Sequence, residues 1–277
     1  MVSSIRENIN FAFSRRPAAN WHTHTSRCKH ATGTVFDYCR AAVAAGLETL
    51  GFSDHVPMPD GRWPHHRMGL DELDDYIADI DRAKIDFPQL EIHCGMECEW
   101  LDSCASWYRD ELLGRHKIEY LVMGIHYAPA ADGSFQSPFD YEKMNDAVFL
   151  RSYVDFWIRA AESGLFTFAA HPDLFGNFCT RWTDDFTAAS RDIAQCASAL
   201  DLPLEINTNG FRKRPIATDD EGVVSRYPRR RFWEIALEER CKVIVNSDAH
   251  RPEDITAGWE TACDMISPYI SAGGAQS

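Results

Sequence analysis

The chain has 277 residues, 45% of them hydrophobic, and a formal net charge of −14. This length and apolar content suit a globular protein of one large domain or two ordinary ones, and no apolar run approaches the roughly 20 residues of a membrane-spanning helix. The acidic balance argues against a broad nucleic-acid-binding face, which is normally basic. Nine cysteines, an odd number without a close Cys-x-x-Cys pair, fit reduced thiols better than a disulfide framework. Met1 to Arg6 lacks the apolar core of a signal peptide. A cytoplasmic location is expected.

In chain order, residues 1–19 read as an N-terminal extension. Seven short apolar runs follow, each ending in polar or ionisable residues before an amphipathic helical stretch. The runs end at His22-Thr23-His24, at Ser53-Asp54-His55, at Gly95-Met96-Glu97, at Gly124-Ile125-His126, at His171-Pro172-Asp173, at Asn207-Thr208-Asn209 and at Ser247-Asp248-Ala249-His250. Helices are expected near 34–45, 70–86, 104–114, 141–163, 184–200, 228–240 and 254–266. Strand and helix alternating in this way imply a parallel sheet, and seven or eight such units close into a barrel of the triosephosphate isomerase type. The segment 57–70 reads as a loop beside the barrel mouth that covers a ligand. Arg229-Arg230-Arg231 reads as the solvated start of a helix.

In such a barrel the C-terminal ends of all strands face one mouth, so residues far apart in sequence converge. His22 and His24, two apart on an extended segment, point to the same side. With His30, His55, Glu97, His126, His171, Asp248 and His250 they make an inventory of metal-type ligands, histidine being the commonest. Individual members have bland readings, such as a buried His55 paired with Asp54. As a set they point to a metal centre. His65, His66, His93 and His116 lie away from strand ends and read as surface or core residues.

The His-x-His with a further His, the Asp-His, the Glu after a Gly-x pair, the Gly-x-His, the His-Pro and the final Asp-x-His together resemble the polymerase and histidinol phosphatase (PHP) family. The similarity runs from about residue 20 to 255. Within the family the chain is most similar to the stand-alone histidinol-phosphate phosphatases, through Thr25 to Ala31, Phe52 to Pro59, Arg67-Met68, Asn207 to Arg212 and Ser247 to Glu253. The resemblance implies an α/β fold, a distorted (β/α)7 barrel spanning 20–277 as a single domain with its metal site at the C-terminal mouth. It also implies three divalent ions. The first would take His22, His24, Glu97 and Asp248; the second would share Glu97 and add His126 and His171; the third would take His30, His55 and His250.

Zinc, iron(II) and manganese all suit such ligands. Hydroxide generated on the cations would be the nucleophile, because a divalent cation brings the pKa of bound water near neutrality and no Ser or Cys nucleophile is needed; in keeping with this, the sequence offers no nucleophile elbow and no P-loop. Glu97, Asp248, His126 and His171 are the candidate catalytic groups, the last three for proton handling. A small phosphorylated substrate is expected, with inorganic phosphate as product or inhibitor and no membrane or nucleic-acid partner. Arg181, Arg212 and Arg67 are the candidate phosphate ligands, and Glu99, Trp63 and Trp100 are available as an acidic or aromatic wall. The activity implied is hydrolysis of L-histidinol phosphate. The alternatives are another small phosphomonoester or a short nucleotide phosphodiester, and, from another class, a nucleic-acid accessory module.

Overall fold

The computed structural model describes residues 17–139 and 146–273. Seven parallel strands form one sheet in sequence order: β1 (Ala19–Asn20), β2 (Thr49–Phe52), β3 (Glu91–Cys98), β4 (Tyr120–Met123), β5 (Phe168–Ala169), β6 (Leu204–Asn207) and β7 (Val243–Asn246). Each pairs with the next, as in Leu50 opposite Ile92 and Val245 opposite Ile206. A single bridge between Thr23 and Ala249 joins the two outer strands, so the sheet is nearly closed into a barrel. The amides of His24 and Ala249 each reach the carbonyl across this seam, at 2.9 and 3.3 Å. The pairing starts at Ala18 and Ala19, slightly before the expected boundary at residue 20.

Parallel neighbours need a crossover, and helices supply it. They span Val35–Ala45, Leu73–Asp86, Trp107–Arg115, Ala147–Glu162, Asp184–Ala199, Arg230–Glu238 and Trp259–Gly273. All seven expected helices are therefore present, although residues 141–145 of one lie outside the described residues. The first is bounded by local chemistry: Thr34 and Asp37 form a capping box, and Gly46, at φ +76°, ends it in the left-handed conformation. The helix at 107–115 winds with wider, π-type turns. Two hairpins lie outside the expected elements, Ala128–Pro129 with Phe135–Gln136 and Ile216–Thr218 with Gly222–Val224. Arg229 corrects another expectation. It is 2% exposed, and its guanidinium donates to the carbonyls of Gly176 and Cys179 and pairs with Glu221. These acceptors neutralise a charge that burial would otherwise penalise heavily. All nine cysteines are free thiols.

Two apolar layers hold the barrel. The larger lies between the strands and the surrounding helices. The smaller plugs the barrel interior with Trp21, Tyr120, Val122, Phe168, Ala170 and Ile244. Tyr120 is its keystone: the hydroxyl lies 2.8 Å from the carbonyl of Trp21 and 3.0 Å from that of Phe52. The ring fits only because two neighbouring strands carry glycine. A Cβ on Gly95 would sit 2.3 Å from the ring, and one on Gly51 would sit 2.2 Å from the hydroxyl.

Gly95→Ala is therefore expected to lower the unfolding free energy by about 1–3 kcal/mol, as overpacking of a dense core does. A urea titration in which the variant differs by less than about 0.5 kcal/mol, the range of ordinary surface changes, would contradict this account of the plug.

Candidate metal centre

Above the apolar plug, the strand ends converge on Glu97, the penultimate residue of β3. Its carboxylate is nearly inaccessible and faces five imidazole nitrogens. Oε1 lies 2.9 Å from His171 Nε2 and 3.6 Å from His126 Nε2. Oε2 lies 3.0 Å from His55 Nδ1 and 3.4 Å from Nε2 of both His22 and His24. Burial alone would raise its pKa, but His126, His22 and His55 outweigh that effect and hold it well below the usual carboxylate range. Gly124, at the end of β4, makes room for it: a Cβ there would lie 2.2 Å from Oε1.

Asp248 comes from the end of β7. Asn207 and Asn209 each donate to its Oδ2 at 3.1 Å. Oδ1 is thereby turned toward His24 Nε2 at 3.1 Å and His22 Nε2 at 3.6 Å. Asp248 and His171 both have positive φ, 47° and 32°. Such backbone strain costs on the order of 1–3 kcal/mol per residue and concentrates at functional sites. For His171 the surroundings supply a restraint, its amide donating to Glu205 Oε2 at 3.2 Å.

Two further buried carboxylates stand behind the histidines. Glu205 Oε1 accepts from His22 Nδ1 at 2.8 Å and from Asn246 at 2.9 Å. Glu99 Oε1 accepts from His126 Nδ1 at 2.8 Å. In the neutral ring each such bond holds the proton on Nδ1, so that Nε2 is the nitrogen that binds metal once its own proton leaves. His22 Nε2 faces His24 Nε2 at 3.0 Å, with the carboxylates of Glu97 and Asp248 beside them. Inward-turned imidazole nitrogens and carboxylate oxygens, with no cationic side chain among them, are the donor set of a divalent cation. His22, His24 and Asp248 can share one ion, and His55, Glu97 and His126 another.

Of the ligands expected for a third ion, His30 and His250 meet, and Cys28 is the third group close enough to share an ion with them. His30 Nε2 and His250 Nε2 are 3.0 Å apart, and the rings of His30 and His55 stack at 5.2 Å. His55 lies between groups: its Nδ1 faces Glu97, while His24, His55 and His250 are also close enough to share an ion. Thus all nine residues expected from the sequence gather at the barrel mouth.

Seven of them, all but the fully buried His22 and His24, line a cavity of about 700 Å³. Among the expected arginines, Arg67 and Arg212 line it, whereas Arg181 is exposed and lies outside it. Arg67 is buried, with its guanidinium on the carbonyls of Val56 and Trp63 and 3.4 Å from Glu99. Arg212 donates to the carbonyls of Ser247 and Asp248 at 2.8 and 3.1 Å. From the segment 57–70, His66 and Arg67 reach the cavity wall, and Trp63 stacks on Tyr127 at 4.2 Å. Trp100 packs away from the cavity against Phe166. Sequence reasoning missed His66, Asn209, Lys213 and Tyr227 on the cavity wall, and Glu205 beneath it. Glu205 carried a usable signal, an acidic residue between the apolar Leu204 and Ile206 of its strand.

The sequence profile of the PHP domain family matches residues 20–209. A protein of Deinococcus radiodurans named "probable histidinol-phosphatase" is 32% identical over 263 residues, covering 91% of this chain and 93% of the relative. A histidinol-phosphatase of Bacillus subtilis is 22% identical, covering 86% of this chain and 96% of the relative. Among solved structures, the histidinol phosphate phosphatase of Lactococcus lactis, in complex with zinc, L-histidinol and phosphate, superimposes with a TM-score of 0.70 at 15% identity. That match covers 91% of this chain and 93% of the other.

Two outcomes test this geometry. Glu205→Gln keeps the shape of the side chain but removes the charge behind His22, so affinity for divalent ions is expected to fall about 10–100-fold; equal zinc content after dialysis against a graded chelator would contradict the role. His126 titrates high, since burial lowers its pKa but Glu99 and Glu97 outweigh this and push it up to about 9. Metal needs the neutral ring, so uptake at neutral pH must expel a proton, and affinity should weaken by about tenfold per pH unit below 9. Calorimetry in buffers of different ionisation enthalpy reads that proton; uptake without proton release would contradict the assignment.

Proposed function

The chain belongs to the PHP domain family, and from that premise we propose that it is a metal-dependent phosphomonoesterase, a histidinol-phosphatase that converts L-histidinol phosphate and water to L-histidinol and phosphate. The observation that carries the reading is the convergence of five imidazoles on Glu97 at and beneath the floor of one cavity, with Arg212, Lys213 and Arg251 on its wall. The relative from Deinococcus radiodurans, similar along nearly the whole chain, supports the substrate. A histidinol-phosphatase of this kind acts in histidine biosynthesis, and a cytoplasmic location follows from that role.

Three divalent ions of zinc, iron or manganese are assigned to His22, His24, Glu97 and Asp248; to Glu97, His126 and His171; and to His30, His55 and His250. When bound, such ions polarise the phosphoryl group and lower the pKa of water to near neutrality. The chain's own residues do the rest. Glu97 holds histidines from four other strand ends in one arrangement, so little reorganisation is needed when charge develops on the phosphoryl oxygens. Arg212, anchored by the carbonyls of Ser247 and Asp248, presents its remaining donors to the phosphoryl group. Lys213 and Arg251 add positive charge around a doubly negative substrate. Arg67 acts beside them by fixing Glu99 and, through it, His126. Asp248, His126 and His171 are the groups available to hold or pass the proton that the leaving alcohol takes.

The reading is tested by phosphate release from L-histidinol phosphate against a panel of small phosphomonoesters and a phosphodiester, using enzyme loaded with zinc, manganese or iron(II). L-histidinol phosphate is expected to lead in kcat/KM by about a hundredfold, roughly 3 kcal/mol of differential transition-state binding, and His24→Ala is expected to abolish turnover. Preferred turnover of another ester would overturn the substrate, and full activity in His24→Ala would overturn the site.

A further inference from the structure

The ligand groups at the barrel mouth differ in three ways that all point in one direction. The first difference is charge. Glu97 serves both inner groups and Asp248 the first, whereas among His30, His55 and His250 only His55 touches a carboxylate, its Nδ1 lying 3.0 Å from the Glu97 that the inner groups already share. Asp248 does not make up the deficit, because it faces His250 on the other side of the ring, at 3.4 Å from Nδ1, while His250 Nε2 faces His30. Asp254, the remaining carboxylate on that wall, is turned toward Arg212 at 3.5 Å.

The second difference lies behind the ligands. His22 and His126 are backed by the carboxylates of Glu205 and Glu99, both at 2.8 Å. His30 and His250 are backed by main-chain carbonyls, those of Cys28 at 2.7 Å and Asp248 at 3.1 Å. A carboxylate partner makes imidazole a stronger donor than a neutral carbonyl does. The third difference is access. The side chains of His22 and His24 are 0% exposed, that of His171 3% and that of His126 18%, against 10% for His55, 22% for His250 and an exposed His30. The same wall carries Arg212, Lys213 and Arg251, whose charges oppose a further dication.

We propose that the ion held by His30, His55 and His250 is exchangeable, and that phosphate in the cavity retains it, whereas the two ions sharing Glu97 stay without phosphate. The inference rests on the three-ion reading above. A phosphate dianion supplies the negative charge that this group lacks and at once neutralises the cationic wall. Linkage makes the effect reciprocal, so phosphate holds the ion as firmly as the ion holds phosphate.

The test uses the wild-type enzyme loaded with zinc and titrated with a competing chelator, with zinc per chain counted by native mass spectrometry in the presence and absence of inorganic phosphate. One ion is expected to leave first, at a chelator concentration at least tenfold lower than the other two, and phosphate is expected to raise that concentration by at least tenfold, within the usual range of coupled sites. His250→Ala should hold two ions and lose the phosphate effect. Simultaneous loss of all three ions, or a first loss indifferent to phosphate, overturns the proposal while leaving the three-ion reading in place. A count that never exceeds two, with or without phosphate, overturns the three-ion reading itself. Cobalt substitution adds a check on the neutral donor set, because Cys28 Sγ lies 4.0 Å from His30 Nε2. A sulfur-to-metal charge-transfer band would reveal a thiolate ligand and overturn the argument from charge.

Discussion

The contact on which everything else depends is that between the Glu97 carboxylate and the imidazoles around it. A buried carboxylate is costly unless compensated, and here the compensation comes from five imidazole nitrogens within 3.6 Å, delivered by the segments after β1, β2, β4 and β5. That arrangement requires a nearly closed sheet, since only a barrel brings first and later strands to one point. It also requires Gly124, whose missing side chain is the space Glu97 occupies. The fold and the site are thus one constraint: the barrel closes over an apolar plug at Tyr120, and the polar strand ends stand above it.

Charge is sorted in layers around this point. Carboxylates lie at the floor and beneath it, in Glu97, Asp248, Glu205 and Glu99; imidazoles form the middle; and Arg212, Lys213 and Arg251 reach the cavity from its wall. A protein with a net charge of −14 can hold a dianionic substrate in such a place, because local charges at a few ångströms outweigh screened ones farther away. Arg67 illustrates how the layers are tied together. It lines the cavity, yet its hydrogen bonds run to the carbonyls of Val56 and Trp63 and to Glu99, so its pull on the site acts through the carboxylate behind His126.

The barrel and the gathering of nine candidate ligand residues are legible in the sequence because both follow from periodicity. An apolar run of four to eight residues that ends in histidine or a carboxylate, repeated along the chain, is the pattern that parallel strands leave when their ends meet at one mouth. What is not legible depends on loops. Arg181 follows the fifth strand end just as Arg212 follows the sixth, but the 3-10 turn at Leu174–Gly176 carries the chain away, leaving Arg181 outside, whereas the turn at Thr208–Arg212 folds back over Asp248. The hairpin at Phe135–Gln136 has a visible turn in Asp132-Gly133, with Gly133 at φ +80°, but its flanking strands, only two residues long, are too short to show an alternation. Arg229 is hidden for another reason, since nothing local distinguishes a buried arginine from its exposed neighbours; only the carbonyls of Gly176 and Cys179, distant in sequence, do so.

The central claim is that Glu97 is the shared ligand of two metal ions. Anomalous diffraction at the zinc edge from crystals grown with zinc tests it most directly. The account predicts two peaks flanking Glu97, each about 2.0–2.2 Å from one of its oxygens. Zinc bound elsewhere while the Glu97 carboxylate stays hydrogen-bonded to protonated imidazoles would contradict it.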